Sequence, residues 1–366
     1  MLKHYPRATA YALLFALSAI ASSCKKETLV QPESPTLGAM SQAKDVLMST
    51  SKVSSVKSNL KLGVNGHMGD APYLQTPWSK QVDMLKERGM AYYRINVQTK
   101  SDGTASASAH LETLMAAARA KGVSLFPMVY LRTLDFKKSE SENYSMGKTL
   151  GANFAGKYGK NFTYYNLGND EELDLLYPGK SGEKASHYDA EKFKRTAAFL
   201  KGMDEGIKSK DSDAKTIVSA GWLHWGFLQM CEDYGVKFDR VGYNWYSDME
   251  KAVVKAPYYI DDITVKLAQL FPDKPIWFTE YNFRYKSGSS TNEADQKEFI
   301  RNFTNKCKAN PHVKVACIYE LFDEPYKSYQ ESNYGLIKWK SQYTSFLEKA
   351  LNISSIQDLL SDTLHI

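Results

Sequence analysis

The chain lacks the residue patterns that many chemistries require. Its 366 residues include four cysteines, with no CxxC pair and no metal-finger spacing, which argues against a zinc ribbon or a dithiol redox centre. No Gly-rich phosphate loop follows an apolar run, and this disfavours a nucleotide-binding doubly wound sheet. Lys and Arg number 47 against 41 Asp and Glu, a formal charge of +6, but they form no stripe suited to nucleic acid. No nucleophilic Ser or Cys motif is present. No His/Asp/Glu spacing argues for a metal, and no cofactor is expected.

Aromatic residues are abundant, with 24 Tyr and 6 Trp. Most must serve the core. The N-terminus reads as a targeting segment. Lys3 and Arg7 precede an apolar stretch from Ala10 to Ala21, too short to span a bilayer comfortably. Small residues Ala21-Ser22-Ser23 then lead to Cys24. Residues 1–23 resemble a bacterial lipoprotein signal, and Lys25-Lys26-Glu27 resembles the start of lipoproteins from the Bacteroidetes group. The resemblance implies a lipid on Cys24 and a place in the cell envelope, facing the periplasm or the outer surface. An ordinary secretory signal is the plainer reading. Cys231, Cys307 and Cys317 read as buried small hydrophobes, with one bridge possible.

Residues 24–57 are rich in Ser, Lys, Thr, Glu and Pro and form a tether in this reading. No second tether interrupts residues 58–351, so these make one domain, followed by a tail at 352–366. Eight apolar runs read as strands: Leu60–Asn65, Ala91–Val97, Val123–Tyr130, Phe162–Leu167, Thr216–Ala220, Arg240–Trp245, Pro275–Thr279 and Val313–Leu321. Amphipathic segments lie between them, including Trp78–Arg88, Leu111–Ala120, Asp189–Lys208, Ile260–Leu270 and Glu293–Lys308, and Gln342–Leu351 closes the series. Eight strand-then-helix units predict a single-domain (β/α)₈ TIM barrel, typically about 250 residues, with its chemistry at the C-terminal strand ends.

Informative residues fall at those ends. The fourth strand runs into Gly168-Asn169-Asp170-Glu171 and the seventh into Thr279-Glu280. The second ends in Arg94-Ile95-Asn96, the sixth in Tyr243-Asn244-Trp245-Tyr246, and the eighth in Tyr319-Glu320. Two carboxyl groups facing across a cleft are the minimum equipment for cleaving a glycosidic bond. Over residues 60–350 these motifs resemble the clan A glycoside hydrolases, retaining enzymes built on (β/α)₈ barrels. The resemblance implies Glu280 as nucleophile and the Asp170 position as acid/base. It implies Asn169 as the ligand of the neighbouring sugar hydroxyl and Arg94 as the group that keeps the nucleophile ionised. Asn244 and Tyr246 would position the nucleophile or the sugar. Trp222, His224, Trp225, Trp245 and Tyr319 would line subsites for a polysaccharide or oligosaccharide.

The chain departs from the clan at one point. The clan has Glu where this sequence has Asp170, one methylene shorter, which withdraws the carboxyl by roughly 1–1.5 Å. A misplacement of that size can cost on the order of 10²-fold in rate. Either the loop carries Asp170 forward, or Glu171 or Glu172 supplies the proton, or the barrel binds glycan without cutting it. Plainer structural readings exist for each residue. Glu280 and Arg94 can be a core ion pair. Asp170-Glu171-Glu172 can be an acidic helix start. Asp323-Glu324 can be a loop feature, and His67 and His224 polar lining residues.

Overall fold

The computed structural model describes residues 58–339 and 346–361. The signal segment, Cys24 and the tether lie outside the described residues. The elements begin β1 (Lys61–Gly66), α1 (Ala71–Gln75), α2 (Trp78–Glu87), β2 (Tyr92–Val97), α3 (Ser108–Lys121), β3 (Ser124–Val129) and α4 (Glu140–Tyr158). They continue β4 (Tyr164–Leu167), α5 (Ala190–Lys208), β5 (Lys215–Gly221), α6 (Trp225–Tyr234), β6 (Arg240–Tyr246), α7 (Ser247–Val253) and α8 (Ile263–Leu270). They end with β7 (Ile276–Asn282), α9 (Asn292–Ala309), β8 (Val313–Ile318), β9 (Ile337–Trp339), β10 (Phe346–Glu348) and α10 (Ile353–Leu360). Strands β1 to β8 close a parallel barrel in sequence order, the expected (β/α)₈ architecture. Among the described residues no helix is long and apolar enough to cross a membrane.

Alternation along each strand sorts the side chains. Outward residues meet the helices. Phe278 on β7, for example, packs edge-on to Phe303 of α9 with ring centroids 4.8 Å apart. Burying one such side chain is worth about 1.5–3 kcal/mol. Inward residues at the lower end form an aromatic plug around Trp277, whose ring lies 4.4 Å from Tyr164, 5.1 Å from Tyr92 and 5.3 Å from Phe126. Arg94, Asn65, Asn166 and Glu280 form a polar layer further along the same strands, toward their C-terminal ends. The plug fills the barrel below them, so their partners must come from one another.

The alternation breaks at the site. Tyr243 of β6 aligns with Phe278 of β7, but the next residue, Asn244, aligns with Glu280. This bulge leaves Thr279 and Glu280 both on the inner side, where Thr279 meets Asn244 and Glu280 meets Arg94. Tyr281 returns outward to Thr304 of α9. Bulges of this kind re-aim side chains beside active sites.

Two features differ from the expectation drawn from sequence. Residues 342–351 were expected to be helical, but 346–348 form β10, paired antiparallel with β9. Phe346 there stacks on Phe322 at 5.4 Å, a contact that favours an extended segment. The tail does carry a helix, α10, with Ile356 and Leu359 buried and Gln357 Nε2 donating to the Glu87 carbonyl at 2.7 Å.

Helix α4 is the second difference, since no apolar periodicity marks it. Ser139 and Glu142 form a capping box at its start. Four glycines then bring α4 and α5 into backbone contact. A Cβ on Gly147 would meet the Phe199 carbonyl oxygen at 2.1 Å, on Gly151 the Met203 oxygen at 2.3 Å, on Gly202 the Tyr144 oxygen at 2.0 Å, and on Gly206 the Lys148 oxygen at 2.2 Å. Gly156 of α4 is different, with its nearest neighbour 3.8 Å away. Gly202→Ala is therefore expected to destabilise the fold by about 1–3 kcal/mol through overpacking. Gly156→Ala should be neutral or stabilise by up to about 1 kcal/mol. Denaturant unfolding of both variants checks the contrast, and equal effects would refute the close-packing account.

Candidate functional site

Arg94 lies at the centre of the upper layer and is 3% exposed. Its Nη1 donates to Glu280 Oε1 at 2.6 Å and to Asn65 Oδ1 at 2.8 Å. Its Nε donates to Asn166 Oδ1 at 2.9 Å, and its Nη2 to Asn169 Oδ1 at 2.7 Å. One guanidinium thus joins β1, β4, β7 and the turn after β4. The remaining oxygen of Glu280 accepts from the Tyr246 hydroxyl at 2.9 Å. Tyr246 is held in turn by the Arg284 guanidinium, 4.7 Å over its ring, and Arg284 pairs with Asp248 at 2.9 Å.

Asp170 sits across from Glu280. Its backbone is left-handed, with φ 54°. Asp and Asn tolerate this region better than most residues, so an aspartate here suits the turn's geometry. Asn244 Nδ2 donates to Asp170 Oδ1 at 3.0 Å, and Asn169 Nδ2 donates to Oδ2 at 2.9 Å. Thr279 fixes Asn244 by donating to its Oδ1 at 2.8 Å. Asp170 starts the 3₁₀ turn Glu171–Asp174, and its side chain makes no capping bond. Burial raises its pKa well above the ordinary carboxylate range, and the like charges of Glu172 and Glu280 push further in the same direction. The Asn244 bond and the Arg94 charge offset part of that rise.

The other sequence candidates divide by position. Tyr319 joins the site wall, with its ring centroid 6.3 Å from Tyr246, 5.3 Å from His67 and 5.4 Å from Tyr334. Trp222, partly exposed at the end of β5, meets Tyr258 edge-on at 5.6 Å. Trp245 is fully buried on the helix-facing side, where its Nε1 donates to Glu250 of α7 at 2.6 Å, so it does not line the cleft. Trp225 is also buried and carries Lys266 5.5 Å over its ring, which places it against α8. His224, 4% exposed, faces Glu172 rather than solvent. Glu171 is partly exposed, and its Oε1 accepts from the Asn169 N–H at 3.4 Å. Glu172 is fully buried, so it cannot hand a proton to a bound sugar.

Sequence reasoning missed the asparagines. Asn65 and Asn166 are buried mid-barrel and orient Arg94, while Asn65 Nδ2 donates to the Thr279 carbonyl at 3.0 Å. Asn inside an apolar strand was the available signal. A second polar cluster at the β1 and β8 ends was also missed. His67 Nδ1 lies 2.9 Å from both Glu320 Oε2 and Glu324 Oε1, and Tyr73 donates to Glu320 at 2.9 Å. Burial alone would lower the His67 pKa, but Glu324 and Glu320 outweigh it and raise the value well above the usual one. Burial, then repulsion from Glu324, lifts Glu320 to about 8. Ligand atoms of His67, Asp70 and Glu324 lie within 4.8 Å of one another, a spacing that fits a cation. Lys327 supplies one, pairing with Glu324 and lying 3.1 Å from Asp70 Oδ2.

No protein-family model and no curated protein matches this sequence. Solved structures match over most of its length. A family 1 β-glucosidase from Thermotoga maritima is 11% identical, with a TM-score of 0.58 over 83% of this chain and 98% of that one. The virulence factor SghA from Agrobacterium tumefaciens is 12% identical, with a TM-score of 0.60 over 82% and 96%. A hyperthermophilic β-glucosidase mutant is 12% identical, with a TM-score of 0.59 over 83% and 99%. At this identity the likeness establishes the barrel fold.

Proposed function

We propose that this protein is a retaining glycoside hydrolase acting on a polysaccharide or oligosaccharide. The observation that carries the reading is the asymmetric carboxyl pair. Glu280 is held between Arg94 and Tyr246, whereas Asp170 is bonded by two neutral amides beside two like charges. Such an arrangement suits a nucleophile at Glu280 and a protonated acid at Asp170. The fold shared with β-glucosidases is consistent with this reading and does not carry it alone.

In the first step a Glu280 oxygen attacks the anomeric carbon while the bond to the leaving oxygen breaks. The Asp170 proton moves to that oxygen. In the second step the Asp170 carboxylate takes a proton from water, whose oxygen attacks the anomeric carbon. The ester to Glu280 then breaks and the sugar leaves with its configuration retained. Arg94 holds Glu280 in place between turnovers, and Asn169, bonded to both Arg94 and Asp170, would bind the hydroxyl next to the reacting carbon. Double displacement requires a carboxyl separation of about 5–5.5 Å. The left-handed turn at Asp170 offers a route for the shorter side chain to meet that demand.

The shorter acid also favours a second reading, a lipoprotein that binds glycan without cleaving it. Reducing-sugar release by residues 25–366 on a panel of β-linked glycans separates the two. Glu280→Gln should abolish turnover. Asp170→Asn should lose about 10²–10⁴-fold on sugar leaving groups and far less on acidic phenol leaving groups, which need no proton. Turnover surviving Glu280→Gln would remove the nucleophile assignment. Tight glycan binding with no turnover by the parent would favour the binding protein.

We also propose that residues 1–23 are a lipoprotein signal and that Cys24 is lipidated, tethering the barrel to the cell envelope through residues 24–57. The support is the basic, apolar and small-residue order before Cys24. Expression in a bacterium with labelled palmitate should label the full chain and not Cys24→Ser. Equal labelling of both would overturn the anchor.

A further inference from the structure

We propose that Glu172 and His224 form a buried dyad behind the acid, and that Glu172 acts on the reaction only through Asp170, as its positioning residue. This inference rests on the reading of Asp170 as the proton donor. Glu172 lies two residues beyond Asp170, in the 3₁₀ turn that Asp170 starts, and is 0% exposed. Its Oε1 accepts from the Gly221 N–H at 3.0 Å and lies 3.1 Å from His224 Nδ1. Its Oε2 is buried with no hydrogen-bond partner among the described residues.

Hydrogen bonding does not explain a carboxylate at this position. A glutamine oxygen would accept from Gly221 and His224 equally well, at lower cost of burial. The property a glutamine lacks is charge. The chain also invests structure in holding the dyad. Gly182, at φ 87°, lies so close that a Cβ there would meet His224 Cδ2 at 2.3 Å. Tyr188 donates to the Gly182 carbonyl at 2.7 Å and so closes this loop over the histidine.

The charged groups facing Asp170 are Glu172 on its own turn, Glu280 on β7 and Arg94 on β2. Glu172 in turn faces His224 and the neutral side chains of Tyr188, Tyr243 and Cys231. Of the two like charges, Glu280 is shared with Arg94 and is lost when the nucleophile is esterified. Glu172 forms no bond to the sugar in either step. Among the like charges on Asp170, Glu172 is the larger influence.

The test is titration of Asp170 itself by carboxyl-carbon NMR, assigned with Asp170→Asn, in the parent, Glu172→Gln and Glu172→Met. Removing the charge should lower the Asp170 midpoint by about one pH unit or more. The alkaline limb of kcat/KM should move down by the same amount, because the acid then loses its proton earlier. A glutamine that only replaced a structural bond would leave both unchanged. An unmoved midpoint in whichever variant folds would overturn the proposal. A midpoint that falls while the alkaline limb stays fixed would uphold the coupling and reject Asp170 as the acid.

Discussion

The Arg94 guanidinium is the constraint on which the site depends. It is a permanent charge buried inside a barrel, and such a charge is tolerated only with complete pairing. Four acceptors answer it, Glu280, Asn65, Asn166 and Asn169. Each comes from a different segment, so the charge fixes the relative positions of β1, β4, β7 and the turn after β4. The bulge in β7 follows from the same demand, because strict alternation would turn either Thr279 or Glu280 away from the interior. The aromatic plug around Trp277 closes the lower end and leaves Arg94 only those partners. Fold and site are therefore one problem, in which satisfying a buried cation also aims a carboxylate at the cleft.

A second carboxyl is handled in the opposite way. Among the described residues Asp170 receives amide donors and like charges but no direct ion pair, so its neutral form is favoured, whereas Glu280 pairs directly with Arg94. The residue type agrees with its backbone, since a left-handed turn suits aspartate. The His67, Glu320, Glu324 and Lys327 cluster on the other side of the barrel mouth balances its own charges, with Lys327 compensating Glu324 and Asp70.

Much of this was legible in the residue order. Eight apolar runs marked eight strands because buried parallel strands are apolar on both faces. The acids and amides ending those runs marked the rim. Helix α4 was not legible, because Gly147, Gly151 and Gly156 lower helix propensity, and two of the three are explained only by backbone contact with α5. The Ser139 and Glu142 pair was the one local signal for it. Trp225 and Trp245 were placed in the cleft on residue type, but which face of an element a residue occupies depends on register and packing. The β7 bulge is tertiary in the same sense. Asn65 and Asn166 looked ordinary until Arg94 showed what they bond.

The central claim is that Glu280 is the nucleophile, oriented by Arg94 and Tyr246. Trapping tests it most directly. A slow 2-deoxy-2-fluoro glycoside of an active sugar, followed by peptide mass spectrometry, should leave one glycosyl group on the peptide carrying Glu280. A label on another carboxylate, or product of inverted configuration with no trapped ester, would contradict the account.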